Sequence, residues 1–373
     1  DTTSVVGIRI GEGGTILTPD RFEFSNMYIC VTDPDVTFVG DTEWVLGENA
    51  VFRIDKPLVL DEYHSIVIKN GGLLTHTPGN PGAVQTYGLD VLMGGSLTVE
   101  EGGRIDVSAR GFTVNNGPGT ATSNCGGSYG GLGVNGLDCY GSIVAPIYYG
   151  SGGRGNNAAI GGGVMKLNVA GFLQNDGAIA ANAAQVTQHT GAGGSVYIIS
   201  GSLLGSGVIE ANSSVNVTGS NPGGGGRISI TLTEPEAKIA DFAGSITAFG
   251  GQKANGVSGG AGTIYLRDGG QAEDEGVLIV DNKDLVSLGT ELDLSLAGID
   301  LDKVKIKVTG NLKLLEDLAV HDILLESPNA ILDLGLTSLY IGTAEHPFEP
   351  ESVINWGSIT WWKPPQGSVF RVR

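Results

Sequence analysis

The sequence predicts an all-β solenoid, in which short parallel strands of one coil stack on those of the next. Three observations lead to this prediction: a two-strand phrase repeats along the chain, its apolar residues alternate with a period of two, and almost no helical periodicity occurs. The glycine content agrees with this prediction, because 62 of the 373 residues are Gly and they cluster where strands would end. An apolar fraction of 40% excludes a disordered chain.

The first phrase of the repeat consists of small residues followed by an alternating apolar run. It occurs four times with spacings of 31, 32 and 36 residues, beginning at Gly163, Gly194, Gly226 and Gly262. Alignment of the copies places apolar side chains in two columns: Met165, Val196, Ile228 and Ile264 in one, and Leu167, Ile198, Ile230 and Leu266 in the other. Because strands this short cannot bury one face alone, each copy is expected to stack on the next in register.

A second, shorter phrase predicts a second strand in each coil. Its copies begin at Gly177, Gly207 and Gly244, and an upstream relative begins at Gly103. Glycine separates the two phrases because corners between strands need a positive φ or a close backbone approach, and glycine permits both.

The whole chain, residues 1–373, is interpreted as a single domain of such coils. Its parts are N-terminal rungs at 1–87, Gly-rich rungs at 88–282 with an insertion at 112–162, and C-terminal rungs at 283–373. Near residue 275 glycine becomes rarer and Leu, Lys and Asp increase, which we interpret as a change of composition within one fold. The segment 356–365 holds three of the four tryptophans and is predicted to cap the open strand edges at this end.

Charge and hydropathy exclude two classes of partner. The net charge of −19, from 40 acidic and 21 basic residues, repels nucleic acid and anionic lipid. No apolar run approaches the length of about 18 residues that a membrane-spanning helix needs, so membrane insertion is not expected.

Three cysteines bear on the cellular compartment. Cys125 and Cys139 bracket a Gly-rich loop, which favours a disulfide bridge worth about 3 kcal/mol, with free thiols as the alternative. Cys30 lies in an apolar run and is predicted to be a small core side chain. Together with acceptor tripeptides for glycosylation at Asn212 and Asn216, the bridge would indicate an extracellular or cell-surface location.

Several Gly-rich segments resemble a known type of repeat. They are GGSYGGLG at 126–133, YGS at 140–142, GSGG at 150–153, GAIAAN, GSLLGSGVIEAN and GGGGRI. These segments are similar to the Gly-rich repeats of right-handed parallel β-helices in large secreted and surface proteins, loosely within the pectate-lyase-like group. The resemblance covers residues 88–282 and implies a right-handed β-helix. Tyr129 stands where such repeats often have His, and Ser142 where they often have an acidic residue.

Enzymes similar to this group act mostly on acidic polysaccharides, so the resemblance also implies where chemistry would lie. A lyase needs a cation to neutralise the uronate carboxylate and a base to take the C5 proton. Arg154 or Lys166 would be the cation, and Tyr140 or Tyr149 the proton carrier. The interpretation that we favour is simpler: the tyrosines pack over Gly-rich backbone and the cations are solvated.

No cofactor is predicted, and Ca²⁺ is kept as an alternative. The segment 281–284 carries carboxylate and amide oxygens, but a turn is favoured because it offers too few ligands in one compact loop. None of the five histidines belongs to a zinc-binding motif.

Two functions remain. The first is a non-catalytic extracellular structural or adhesive module of a surface or filament protein, whose partners are a polysaccharide or neighbouring subunits, with glycan binding left open. The second is a secreted polysaccharide-active enzyme, a lyase or a glycoside hydrolase acting on an acidic glycan. The absence of a strong catalytic motif favours the first.

Overall fold

The computed structural model describes residues 6–10, 15–32, 36–40, 42–60, 64–79, 84–214, 217–218, 221–253, 256–342, 352–354 and 357–361. Within these ranges the secondary structure is almost entirely β, so the all-β prediction is confirmed. The helical exceptions there are a single turn of α-helix, α1 (Leu294–Ala297), and a short 3-10 turn (Ile239–Asp241). Neither of these described helices is long and apolar enough to cross a lipid bilayer.

The strands are short, as the repeat predicts. In chain order they are β1 (Val6–Ile10), β2 (Thr15–Leu17), β3 (Arg21–Phe24), β4 (Met27–Val31), β5 (Thr37–Val39), β6 (Glu43–Leu46), β7 (Val51–Ile54), β8 (Leu58–Leu60), β9 (Ser65–Ile68), β10 (Leu73–Thr75), β11 (Leu89–Met93), β12 (Leu97–Val99), β13 (Arg104–Asp106), β14 (Val164–Asn175), β15 (Ala178–Ala180), β16 (Ser195–Leu204), β17 (Val208–Glu210), β18 (Arg227–Leu232), β19 (Ser245–Thr247), β20 (Thr263–Arg267), β21 (Gly276–Val280), β22 (Gly289–Leu292), β23 (Val304–Val308), β24 (Asn311–Leu314), β25 (Leu318–Val320), β26 (Asp322–Leu325), β27 (Ile331–Asp333), β28 (Ser338–Ile341), β29 (Val353–Ile354) and β30 (Ser358–Trp361).

Two large sheets contain most of these strands. The first sheet has the order β1-β4-β7-β10-β13-β15-β17-β19, and the main path of the second runs β3-β6-β9-β12-β14-β16-β18-β20-β21-β23-β26. Smaller sheets consist of β22-β24-β27-β29, of β25-β28-β30 and of β2-β5. Neighbours in a sheet are mostly not consecutive in the chain. The chain therefore leaves a sheet and returns to lay its next strand beside the previous one.

The apolar columns predicted from the repeats are confirmed by the strand register. In the second sheet, parallel pairing joins each member to the next in both columns: Met165, Val196, Ile228 and Ile264, and Leu167, Ile198, Ile230 and Leu266. In the first sheet, the shorter phrase forms a third column: Ile105, Ile179, Ile209 and Ile246. Most of these side chains are fully buried, and each such burial contributes about 1.5–3 kcal/mol to folding.

Two apolar cores occupy opposite faces of the second sheet where β20 meets β21. Every pairing between the described strands is parallel except this one, which is antiparallel and joins Tyr265 to Leu278. Ile264 belongs to the core of the N-terminal strands, whereas Tyr265 and Leu278 belong to the core of the C-terminal strands. Adjacent residues of a strand point to opposite faces, so the interior changes face where strand direction reverses. The composition change near residue 275 coincides with this reversal, and the assignment of 1–373 to one domain stays a prediction.

The insertion at 112–162 contains no regular strand and is held by close backbone packing. Its glycines meet those of other Gly-rich segments, and together they form what we term the glycine layers: residues 126–133, 150–153, 161–163, 191–194, 222–226 and 259–262. Backbone hydrogen bonds join the layers, for example from Gly130 N to Gly225 O (3.0 Å) and from Gly224 N to Gly127 O (2.9 Å). A Cβ on Gly224 would overlap the carbonyl group of Gly131, although its φ is not left-handed. Close approach is therefore what requires glycine here.

The predicted disulfide bridge is wrong. Cys30, Cys125 and Cys139 are all buried free cysteines. The backbone of Cys125 pairs with Arg154, while the Cys139 thiol donates to Gly130 O (3.5 Å), because the residues between the two cysteines spread over the glycine layers instead of closing a small loop. Cys30 is a buried core side chain, as predicted.

The predicted tryptophan-rich cap is only partly within the described chain. Residues 358–361 form β30, which pairs in parallel with β28. Residues 355–356 and 362–373 lie outside the described residues, so the cap stays a prediction.

Candidate functional site

The insertion is anchored to the outer face of the second sheet by side chains from two adjacent strands. Ser195 on β16 donates to Tyr148 O (2.6 Å). On β18, Arg227 Nε donates to Tyr140 O (3.0 Å) and Ser229 donates to Val144 O (2.7 Å). These contacts lay residues 140–148 across the sheet, which explains why every residue of β18 is buried although only alternate residues face the core.

Three tyrosines of the insertion form a row that leads from the interior to the surface. The ring centroids of Tyr129 and Tyr140 are 4.8 Å apart, and those of Tyr140 and Tyr148 are 6.2 Å apart in an edge-to-face arrangement. Tyr129 is fully buried and its hydroxyl contacts Ser195 Oγ (2.6 Å), whereas Tyr148 is 45% exposed. The row therefore ends in a ring that is supported from behind and open to solvent.

The structure brings the two predicted proton carriers, Tyr140 and Tyr149, into direct contact. The Tyr140 hydroxyl donates to Tyr149 O (2.6 Å) and also contacts Ser151 Oγ (2.9 Å). The Tyr149 hydroxyl donates to Tyr87 O (2.5 Å) and accepts from Tyr87 N (2.9 Å). Burial raises the pKa of both phenols, that of Tyr140 strongly, so both stay protonated and engaged with backbone carbonyls.

The two predicted cations lie elsewhere. Arg154 donates from Nη2 to Asn115 O (2.9 Å) at an edge of the insertion. Lys166 lies on β14 in register with Asp90 and Tyr197, and it is partly exposed. Neither lines the cleft described below, so the structure brings neither of these two cations together with Tyr140 there.

Arg227 is the residue that sequence reasoning missed. Its guanidinium is fully buried, lies over the Tyr129 ring at 5.5 Å, and donates from Nη1 to Thr263 Oγ1 (3.0 Å), while Nη2 has no hydrogen-bond partner among the residues that the structure describes. Desolvation lowers its pKa, yet an arginine stays charged. A signal was present in the repeat: the aligned positions in β14, β16 and β20 carry only Val, Ser and Thr.

A cleft of about 710 Å³ opens between the insertion and α1. Ile143 N donates to Leu296 O (2.6 Å) and ties the two walls together. The wall residues are Pro118, Cys139, Tyr140, Gly141, Ser142, Ala145, Ile147, Tyr148, Ser295 and Leu296. No charged side chain is among these described wall residues. The side chains of the wall are therefore uncharged, and the carboxylate of Asp293 lies next to them, where it accepts from the Ser295 hydroxyl (2.7 Å).

The described part of the chain contains no cluster of side chains that could bind a metal ion. No group of three or more His, Cys, Asp or Glu side chains there is placed to share a metal ion. In the segment 281–284, the Asp281 carboxylate accepts from Lys283 N (2.9 Å) and Thr309 Oγ1 (2.5 Å), and the Asn282 side chain accepts from Gly250 N (2.9 Å). These contacts belong to a turn and its neighbours; Ca²⁺ binding stays a prediction.

His76 provides a test of the packing behind Tyr149. Its ring stacks on Tyr149 with centroids 6.1 Å apart, its Nδ1 donates to Thr77 O (2.6 Å) and its Nε2 accepts from Val164 N (3.4 Å). Desolvation is the main reason that the pKa of His76 is lowered to about 4; nearby Arg110 acts in the same direction, while the hydrogen bond to Thr77 O and the Asp55 carboxylate oppose the shift.

We predict that the stability supplied by neutral His76 is lost as the pH falls from about 6.5 to about 4, because the unfolded chain binds this proton first. Between pH 7 and 4.5 the loss amounts to about 2 kcal/mol. In urea titrations, His76→Gln should show a pH-dependent decrease in unfolding free energy that is smaller by this amount. Equal decreases in both proteins would contradict the prediction.

Comparisons of this chain with protein-family models, curated proteins and solved structures return no significant match.

Proposed function

We propose that this chain is a non-catalytic structural or adhesive module of the cell surface, built as a right-handed parallel β-helix. Two observations support stacked coils: the strands pair in parallel with their apolar residues in register, and the chain returns repeatedly to the same sheets. Parallel crossovers are overwhelmingly right-handed. At β20–β21 the strand direction reverses, and the apolar interior also moves to the other face of the sheet. Each of these changes alone would invert the handedness of a coil, so the two together leave it unchanged. A right-handed coil is therefore possible on both sides of β20–β21.

One observation carries the non-catalytic assignment. The hydroxyls of Tyr140 and Tyr149 both donate to backbone carbonyls, and none of the described wall residues of the cleft that Tyr140 lines carries a carboxylate, an imidazole or a cationic group; the neighbouring Asp293 carboxylate is engaged by Ser295 and Leu296 N. Lyases and glycoside hydrolases need a base or paired carboxylates beside the scissile bond. The tyrosine hydroxyls of the insertion are instead used in hydrogen bonds that hold the backbone in place.

The surface location rests on the sequence resemblance. The three thiols are free, so the cysteines no longer argue for an oxidising compartment. A polysaccharide or neighbouring subunits of a surface or filament assembly remain the proposed partners.

The non-catalytic part of the proposal is tested by turnover assays. Pectate, alginate and neutral glycans are incubated with the protein while absorbance at 235 nm and new reducing ends are followed. We expect no turnover. Turnover that disappears in Arg154→Ala or Tyr140→Phe would establish the polysaccharide-active enzyme instead.

The proposed stack of coils is tested by a distance between two spin labels. Glu23 on β3 and Glu326 after β26 are both 45% exposed by side chain, and ten strand spacings, about 48 Å, separate their strands. Labels at Glu23→Cys and Glu326→Cys, with the native thiols buried, should give a narrow distribution centred between about 48 and 58 Å, because the strand register also offsets the two sites along the strands by up to about 33 Å. A broad distribution, or one centred far below this range, contradicts a rigid stack.

A further inference from the structure

The cleft between the insertion and α1 presents a pre-arranged aromatic platform. Tyr148 and Ile147 are 45% and 49% exposed and lie side by side in the wall. Tyr140 packs edge-to-face against Tyr148, and Ser195 fixes the Tyr148 backbone from below. A ring held in this way loses little conformational entropy when a ligand stacks on it.

Hydroxyl groups with unused capacity flank this platform. The Ser142 hydroxyl accepts from Ala145 N (3.1 Å) and retains its proton for donation. The exposed Ser295 hydroxyl donates to Asp293 Oδ1 (2.7 Å) and retains its lone pairs. The wall therefore offers a donor and an acceptor beside an apolar face.

The chemistry of the cleft restricts the charge of the ligand. Its described wall carries no Lys or Arg to neutralise a uronate, and the chain as a whole has a net charge of −19. The Cys139 thiol in the wall has its pKa raised to about 12 by burial, so it too stays neutral. An anionic glycan would meet repulsion without compensation.

We propose that this cleft binds a neutral oligosaccharide, whose C–H face stacks on Tyr148 and Ile147 while its hydroxyls exchange hydrogen bonds with Ser142 and Ser295. A pyranose ring combines an apolar face with a rim of donors and acceptors, and this pattern complements the wall. The proposal deepens the adhesive role given above and rests on it: the cleft supplies the contact, and no bond of the glycan is broken.

The test is calorimetric titration of the full chain with cellohexaose, mannohexaose and xylohexaose, and with hexagalacturonate as the acidic comparison. We expect at least one neutral hexasaccharide to bind and hexagalacturonate not to bind. Tyr148→Ala should weaken binding by about tenfold or more, whereas Tyr148→Phe, which keeps the ring, should bind nearly as well as the parent.

Tyr197→Ala is the matched control, because Tyr197 is a partly exposed tyrosine of β16 outside the cleft. It should leave binding unchanged, and thermal unfolding establishes that each variant is folded. Failure of every neutral sugar to bind, preference for hexagalacturonate, or binding that survives Tyr148→Ala would overturn the proposal. None of these results changes the outcome of the turnover and distance tests, so failure of the cleft proposal can be distinguished from failure of the proposed structural or adhesive function.

Discussion

Replacement of Gly224 by alanine is expected to lower the free energy of unfolding by about 3 kcal/mol or more. The new Cβ would overlap the backbone carbonyl of Gly131, which belongs to the facing glycine layer. Gly224 cannot move aside cheaply, because its N–H donates to Gly127 O (2.9 Å) and its carbonyl accepts from Gly193 N (3.1 Å). Urea titration followed by circular dichroism measures the loss.

Gly289 is the matched control for this substitution. It lies in β22, and a Cβ there would meet only Lys313 Cβ at 3.6 Å and Asn311 O at 3.9 Å. Its φ is not left-handed, so Gly289→Ala should change stability by less than about 1 kcal/mol in either direction. Similar losses in the two variants would mean that close approach is not the reason for glycine at 224.

Arg227→Ala is expected to lower the free energy of unfolding by about 3–5 kcal/mol. The substitution leaves a cavity in a fully buried site and removes the donors to Tyr140 O and Thr263 Oγ1. Since Arg227 joins β18 to the insertion, hydrogen exchange at the backbone amides of Tyr140 and Ile143 should accelerate before exchange in the columns of the sheet.

Further substitutions separate charge from shape at this position. Arg227→Lys keeps the charge but not the planar fork, and should recover only part of the stability. Arg104→Ala serves as the surface control, because the Arg104 side chain is 54% exposed and its ion pair with Asp106 is long (3.7 Å); its effect should stay within about 0.5 kcal/mol. An Arg227→Ala variant as stable as Arg104→Ala would show that the buried guanidinium does not hold the insertion.

The strand columns were predictable because they depend on local rules. Ile228 lies between Val196 and Ile264 in the aligned repeats, and the same three residues are neighbours in the sheet. A period of two determines which side chains share a face, and a fixed repeat length determines which strands meet. Both quantities are read directly along the chain.

The insertion was not predictable in the same way. Cys125 and Cys139 suggested a closed loop, but the residues between them spread over glycine layers contributed by distant segments. The predicted pair of Tyr140 with Arg154 or Lys166 assumed that neighbours in sequence converge in space. Instead, Tyr140 meets Tyr149 O, and the partner of its own carbonyl is Arg227, 87 positions further along the chain.

The order of residues alone specified alternating strands, their stacking register and the need for glycine at close approaches, because each follows from contacts that repeat at a constant interval. Only the folded molecule decided that the apolar interior changes face at β20–β21, that Arg227 is buried beneath the insertion, and that Tyr148 faces an uncharged cleft beside α1. Each of these features depends on contacts between segments that are far apart in the chain. Such a contact occurs only once, so it produces no periodic pattern that could be recognised in the sequence.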